Sequence, residues 1–235
     1  MTDPDDPSGP RNAADSRPGD RFTELVRVMA ELRAPGGCPW DAEQTHRSLA
    51  RHLLEETHET LQAIETDDLD ALREELGDVL LQVVFHAEIA EEERVFSIDD
   101  VTDALIAKLI RRHPHVFGDA EVPGADEVLA NWERLKAEET GRRDLEDDIP
   151  ETLPALARAA KVQRRAEAAG AERTPADAAA STILERLEAL RSSSDPAGAE
   201  EALGDVLFAV VAIAREAGID AESALRRRTR VFADR

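Results

Sequence analysis

Apolar residues recur at helical spacing through most of the chain. Phe22, Leu25, Val26, Met29 and Leu32 fall on one face of a helix predicted over 21–33, which Pro35, Gly36 and Gly37 end. CPWDAEQTHRSL then reads as a turn, with Asp41 as the expected N-cap of the next helix. Leu49, Leu53, Leu54, Leu61 and Ile64 form the apolar arc of one long helix. Leu72, Leu76, Val79, Leu80, Val83 and Val84 form that of the helix after it. Only the polar run TDDLD (66–70) joins the two, so they should pack as an antiparallel hairpin. Further helices are predicted over 98–112, stopped by Pro114, and over 125–139, 156–169, 178–191 and 200–217. Ala, Leu, Glu, Asp and Arg dominate, aromatic residues are only 3% and tyrosine is absent, so the expected fold class is all-α.

The pattern also repeats. EELGDVLLQVVFHA (74–87) and EALGDVLFAVVAIA (201–214) match at an offset of 127 residues, including the Leu-Gly-Asp-Val-Leu core, so the chain reads as a tandem repeat. Residues 1–20 are rich in Pro, Asp, Gly, Ser and Asn and read as a disordered tail. A first domain is expected over 21–143, an acidic connector containing DLEDDIP over 144–152, and a second domain over 153–235.

Charge narrows the functions available. Lys and Arg number 29 against 51 Asp and Glu, a net charge of −22, which argues against a duplex nucleic acid or an anionic membrane as partner. An anionic substrate would need a local cation, and surplus carboxylates can supply one by holding a metal. The single cysteine, Cys38, excludes an internal disulfide. No basic-then-apolar leader and no apolar run of about 18 residues occurs, so a cytoplasmic protein is expected.

Residues at i and i+3 are neighbours on a helix, so Glu56 with Glu59, and Glu75 with Asp78, each make an adjacent pair of oxygen ligands. Antiparallel packing lets the pairs face each other, and four carboxylates without thiol or imidazole suit Mg²⁺, with Mn²⁺ as a substitute. A solvated acidic face accounts for the same spacing, because 51 of 235 residues are acidic. Gly77, in mid-helix, costs about 1 kcal/mol relative to alanine, and a close backbone or ligand approach would explain it. Glu43-x-x-His46 and Glu55-x-x-His58 fit the element of di-iron bundles, but the two lie too close in sequence to come from opposed helices. There is no G-x-x-x-x-G-K-[ST], G-x-G-x-x-G or His-Glu-x-x-His, so any nucleotide must be bound by helices.

GGCPWDAEQTH (36–46), LLEETHE (53–59), EELGDVLLQVVFHA, KLIRRHPHVFGD (108–119) and NWERLK (131–136) together resemble the MazG family of nucleoside triphosphate pyrophosphohydrolases. The resemblance implies tandem MazG-like helical bundles and hydrolysis of a (d)NTP to (d)NMP and pyrophosphate, for housecleaning or control of nucleotide pools. The family's E-x-x-E, spacer, E-x-x-D metal motif falls on Glu56, Glu59, Glu75 and Asp78. Glu55 is a candidate for orienting or deprotonating the attacking water, and a surface role fits it equally. The triphosphate needs cations, and the resemblance favours Lys108, Arg111 and Arg112, with Lys136 further on; a basic helix end before Pro114 also suits the helix dipole. Trp132 is a candidate to stack on the base, whereas Trp40 reads as packing.

The repeat provides an internal control. Laying ILERLEAL (183–190) on LLEETHET (53–60) puts Arg186 opposite Glu56 and Ala189 opposite Glu59. Ala202 stands opposite Glu75, and only Asp205 survives, opposite Asp78. The second half is therefore expected to hold no divalent metal and to be catalytically silent. Two helices of one chain enclose a nucleotide poorly, so a homodimer is expected to complete the bundle. The competing reading is a non-catalytic helical module that binds nucleotides or a protein partner.

Overall fold

A computed structural model describes residues 19–118, 124, 128, 131, 132, 135 and 144–233. Ten helices and no strand occur among the described residues, so the fold is all-α. The helix expected over 125–139 falls mostly outside them, as does Lys136. The chain divides into two units, Met1–Ala107 and Lys108–Arg235.

In the first unit, α1 (Asp20–Arg33) leads through the short α2 (Pro39–Glu43) to α3 (His46–Glu65) and α4 (Leu69–Glu92). Asp41 lies inside α2, and the N-cap of α3 is Thr45. The Thr45 side chain accepts from the Ser48 backbone N–H while the Ser48 hydroxyl accepts from the Thr45 N–H. The earlier placement at Asp41 overlooked that Pro39 starts a helical turn of its own. Asp67 takes a left-handed conformation (φ 56°) at the hairpin turn and Asp68 caps α4, so α3 and α4 run antiparallel as the short connection requires.

α1 packs on α4, and Met29, Leu49, Val84, Phe85, Ala87, Ile89 and Ile98 form the core. The last of these opens α5 (Ile98–Arg112), which crosses the division between units. Arg33, at the end of α1, donates to both Glu92 oxygens at 2.8 and 2.7 Å and ties the helix ends together. His46 and His86 stack across α3 and α4 with their Nδ1 atoms 2.8 Å apart, and among the described residues the one group of three potential metal ligands is Glu56, Glu75 and Asp78, without Glu43, His46, Glu55 or His58.

The expected apolar arcs are only partly core. Leu49 and Val84 are buried, but Leu54 is 60% exposed, Leu76 53%, and Leu53, Leu80 and Val83 more than a third exposed. The helical period was read correctly; α1 covers only the end of the hairpin away from its turn. Among the described residues, no third helix of the unit packs on the stripe of Leu53, Leu54, Leu76, Leu80 and Val83.

The second unit repeats this plan. After α6 (Pro114–Phe117), the described chain resumes at Asp144 and continues into α7 (Ala155–Ala168), α8 (Ala176–Ser192), α9 (Pro196–Glu216) and α10 (Ala221–Ala233). α8 and α9 form the hairpin, α7 packs on α9, and α10 packs on both α7 and α9. The sequence reading did not anticipate α10. The acidic connector is not a free linker: Ile149 is buried, and the buried Arg165 donates from Nη1 to the carbonyls of Leu145 and Asp147. Those bonds hold residues 144–149 on the second unit.

Gly36 and Gly170 are both left-handed (φ 93° and 96°), each three residues beyond an ion-paired residue at a helix end. In the first unit that residue is Arg33, paired with Glu92. In the second it is Glu167, held by Arg215 through both Nη atoms at 2.8 Å; the 127-residue offset sets Arg215 opposite Glu88 and not opposite Glu92.

Candidate functional site

The four expected ligands all lie on the α3–α4 hairpin. Their spacing does the positioning: Glu56 and Glu59 are one turn apart on α3, Glu75 and Asp78 one turn apart on α4, and the antiparallel pairing sets the two turns side by side. Carboxylate oxygens of Glu56, Glu75 and Asp78 lie within 4.8 Å of one another, and the three side chains are half-buried. Glu59 is more exposed and lies outside this trio, close enough for its charge to act on Glu56.

Such crowding is unfavourable without a cation. Burial first, then the charges of Asp78 and Glu59, push the Glu56 carboxyl above its ordinary range. Burial, Glu59 and Asp78 do the same to Glu75. Four carboxylates that disfavour one another's charge, with no sulfur or nitrogen donor among them, fit a hard divalent cation.

Other expected residues are placed differently. Glu55 is exposed and outside the cluster, its carboxylate 3.7 Å from His52 Nδ1. Lys108, Arg111 and Arg112 belong to the second unit, where the Arg112 guanidinium lies over the Trp132 ring at 5.1 Å. One face of Trp132 is thus already occupied. Trp40, read as packing, is 52% exposed and meets His52 edge-on, one helical turn before Glu56. Nothing in the sequence marked that aromatic pair, because Trp40 and His52 approach only through the α2–α3 turn. Gly77 was expected to allow a close approach, yet a Cβ there would meet nothing within 4 Å among the described residues.

In the second unit the equivalent place holds a different arrangement. Arg186 Nε lies 3.0 Å from Asp205 Oδ2, so the one surviving acid is matched by a cation from the chain itself. The two remaining ligand positions are Ala189 and Ala202.

Comparison with known proteins agrees with this geometry. Residues 44–117 match the MazG nucleotide pyrophosphohydrolase domain, a span that contains all four acids. The chain is 45% identical over 219 residues to the nucleoside triphosphate pyrophosphohydrolase/pyrophosphatase MazG of Thermotoga maritima, covering 92% of this chain and 84% of that protein. It is 44% identical over 222 residues to the nucleoside triphosphate pyrophosphohydrolase of Escherichia coli, covering 91% and 84%. A third relative, the nucleoside triphosphate pyrophosphohydrolase of Mycobacterium tuberculosis, is 49% identical over 161 residues, 68% of this chain and 49% of that protein. With identity of this order over about nine-tenths of the chain, and the acid hairpin inside the matched domain, the chain belongs to the MazG family of nucleotide pyrophosphohydrolases.

Proposed function

We propose that the first half of the chain, residues 21–143, hydrolyses nucleoside triphosphates to the monophosphate and pyrophosphate with Mg²⁺, and that Mn²⁺ can replace it. The observation that carries this is the convergence of Glu56, Glu75 and Asp78 oxygens within 4.8 Å, with Glu59 one turn along α3 from Glu56. These four residues would hold the ion. Once bound, a divalent cation neutralises phosphate oxygens and lowers the pKa of a coordinated water.

The chain's own groups do the rest. Water attacks the α-phosphorus as the β and γ phosphates leave together, and charge on the departing pyrophosphate needs cations. Lys108, Arg111 and Arg112 take that role in this proposal, with Lys136 further along and Arg able to grip phosphate in a bidentate way. Trp132, backed by Arg112, offers a flat face to the base. Glu55, exposed beside the cluster, is assigned to orient or deprotonate the water.

The uncovered stripe of Leu53, Leu54, Leu76, Leu80 and Val83 runs along the same hairpin as the acids, and a second copy of the chain covering it would close the site. No helix among the described residues is long and apolar enough to cross a membrane. A cytoplasmic reaction is part of the proposal, because its substrates are nucleoside triphosphates. The second half, with Arg186 on Asp205, takes no part in the chemistry.

The test is pyrophosphate release from each of the eight common (d)NTPs with Mg²⁺. Release that disappears in Glu56→Gln supports the proposal. Binding of nucleotide without any release would favour a non-catalytic module instead.

A further inference from the structure

The second unit contains a cavity of about 410 Å³ between α7, α8 and α9, within the size range of small-molecule sites, roughly 300–1,000 Å³. The repeat explains its origin. At the offsets that relate the two hairpins, buried Leu49 corresponds to Ala179 and buried Phe85 to Ala212, and both alanines line the cavity. Val84 and its counterpart Val211 are equally buried, so the frame is retained while two large side chains have shrunk beside it. A core that loses this much volume is destabilised unless it collapses or is filled, and here it stands open.

The walls combine two kinds of chemistry. Phe208, Val162, Ala179, Ala209 and Ala212 supply an apolar floor, while Arg173 and Arg186 stand at the rim, 62% and 46% exposed. Arg215 also lines the cavity, but it is fixed on Glu167 through both Nη atoms and reaches Gln163 Oε1 as well. Arg173 donates from Nε and Nη2 to Glu167 Oε2 at 3.2 and 3.1 Å, and Arg186 lies with Nε 3.0 Å from Asp205 Oδ2. Arg173 thus keeps its Nη1, and Arg186 its two Nη groups, to meet one small anion at the rim. Glu172 and Glu216 lie on the same lining, Glu216 accepting from the Ala176 N–H at 2.7 Å, and their charge disfavours a polyanion such as a triphosphate.

We infer that this cavity is a metal-independent binding site for a nucleoside monophosphate, its base against Phe208 and its phosphate between Arg173 and Arg186. The cavity and its charges specify a planar apolar body carrying one phosphate; the choice of a nucleoside monophosphate rests on the proposed reaction, which makes that product. In the first half a positive charge must be recruited as an ion, whereas here Arg186 supplies it covalently, and no divalent cation is required.

The test is calorimetric titration of the full chain with AMP, GMP, CMP and UMP in EDTA, where the proposed reaction cannot run. Saturable binding of at least one of them is expected, unchanged in Glu56→Gln. It should weaken by about tenfold or more in Ala212→Phe, which restores the first half's side chain, and in Arg173→Gln/Arg186→Gln. Inorganic phosphate should bind about tenfold or more weakly than the nucleotide. Circular dichroism of each variant confirms folding, and Ala179→Leu serves as the cavity-filling variant if Ala212→Phe does not fold. The inference is overturned if no monophosphate binds in EDTA, if cavity-filling leaves binding intact, if phosphate alone binds as well, or if Glu56→Gln abolishes binding. Turnover enters none of these readings, so loss of pyrophosphate release and loss of this site are separable results.

Discussion

The two hairpins are the same frame with opposite solutions to one electrostatic problem. The first brings three carboxylates within 4.8 Å and a fourth onto their edge, and leaves their repulsion for a cation from solution to relieve. The second keeps one carboxylate, Asp205, and places Arg186 3.0 Å from it. The acid cluster is therefore not a requirement of the fold. A hairpin with valines buried at the same point, Val84 and Val211, forms with or without it. The energetic strain in the first half therefore needs a functional reason, and ion binding is one.

The largest expected effect separates the halves by turnover. Glu56→Gln or Asp78→Asn should lower pyrophosphate release by about a hundredfold or more, since even outer-shell partners of a metal cost about 10–100-fold. Asp205→Asn should leave it within about twofold, the Arg186 pair being exposed and worth about 0–1 kcal/mol. Comparable losses from both substitutions would remove the distinction on which the comparison stands.

Stability should divide the same way. Saturating Mg²⁺ at about 100 times its Kd should add about 2.7 kcal/mol to unfolding, read as a rise in Tm, and the rise should vanish in Glu56→Gln. The pH dependence without metal follows from the same crowding. Glu56 and Glu75 have folded-state pKa values raised above their unfolded ones, so the folded state takes up their protons more readily. Their contribution to stability then falls as pH rises from the unfolded toward the folded pKa, and is least favourable above the latter. Metal-free Glu56→Gln should accordingly melt higher than the wild type at pH 7, with the gap closing on acidification. A gap that widens in acid would mean the carboxylates are stabilised as anions.

The smallest effect concerns the paired glycines. Gly77 and Gly204 are mid-helix with no atom near a built Cβ among the described residues, so Gly204→Ala should stabilise by up to about 1 kcal/mol. Gly77→Ala should stabilise the monomeric chain equally. If a second copy closes over the first hairpin, Gly77→Ala should additionally shift the monomer–dimer equilibrium, measurable by sedimentation.

Much of this architecture was legible in the sequence because it is local. Helical periodicity, the five-residue TDDLD connection and the internal repeat are properties of neighbouring residues; the spacing of the acids is equally local, but a solvated acidic face shares it, and the resemblance to the MazG family is what singled out the quartet. What failed was the assignment of cover. Leu54 and Leu76 have the period of core residues but lie where no helix of the same unit packs, a fact that the pattern of one helix does not contain. The connector at 144–149 looked like a linker because its charges dominate, although Ile149 and two backbone carbonyls fasten it to α7. The second-unit cavity was hidden for a related reason, since alanines at 179 and 212 read simply as good helix formers until their larger counterparts are set beside them.

The claim on which the rest depends is that the first hairpin, and not the second, gathers a divalent cation. Titration of the metal-free chain with Mn²⁺, followed by electron paramagnetic resonance of the free ion, tests it directly. Saturable binding in the wild type and in Asp205→Asn, lost in Glu56→Gln/Glu75→Gln, is the predicted result. Binding that survives the double substitution, or that depends on Asp205, would contradict it.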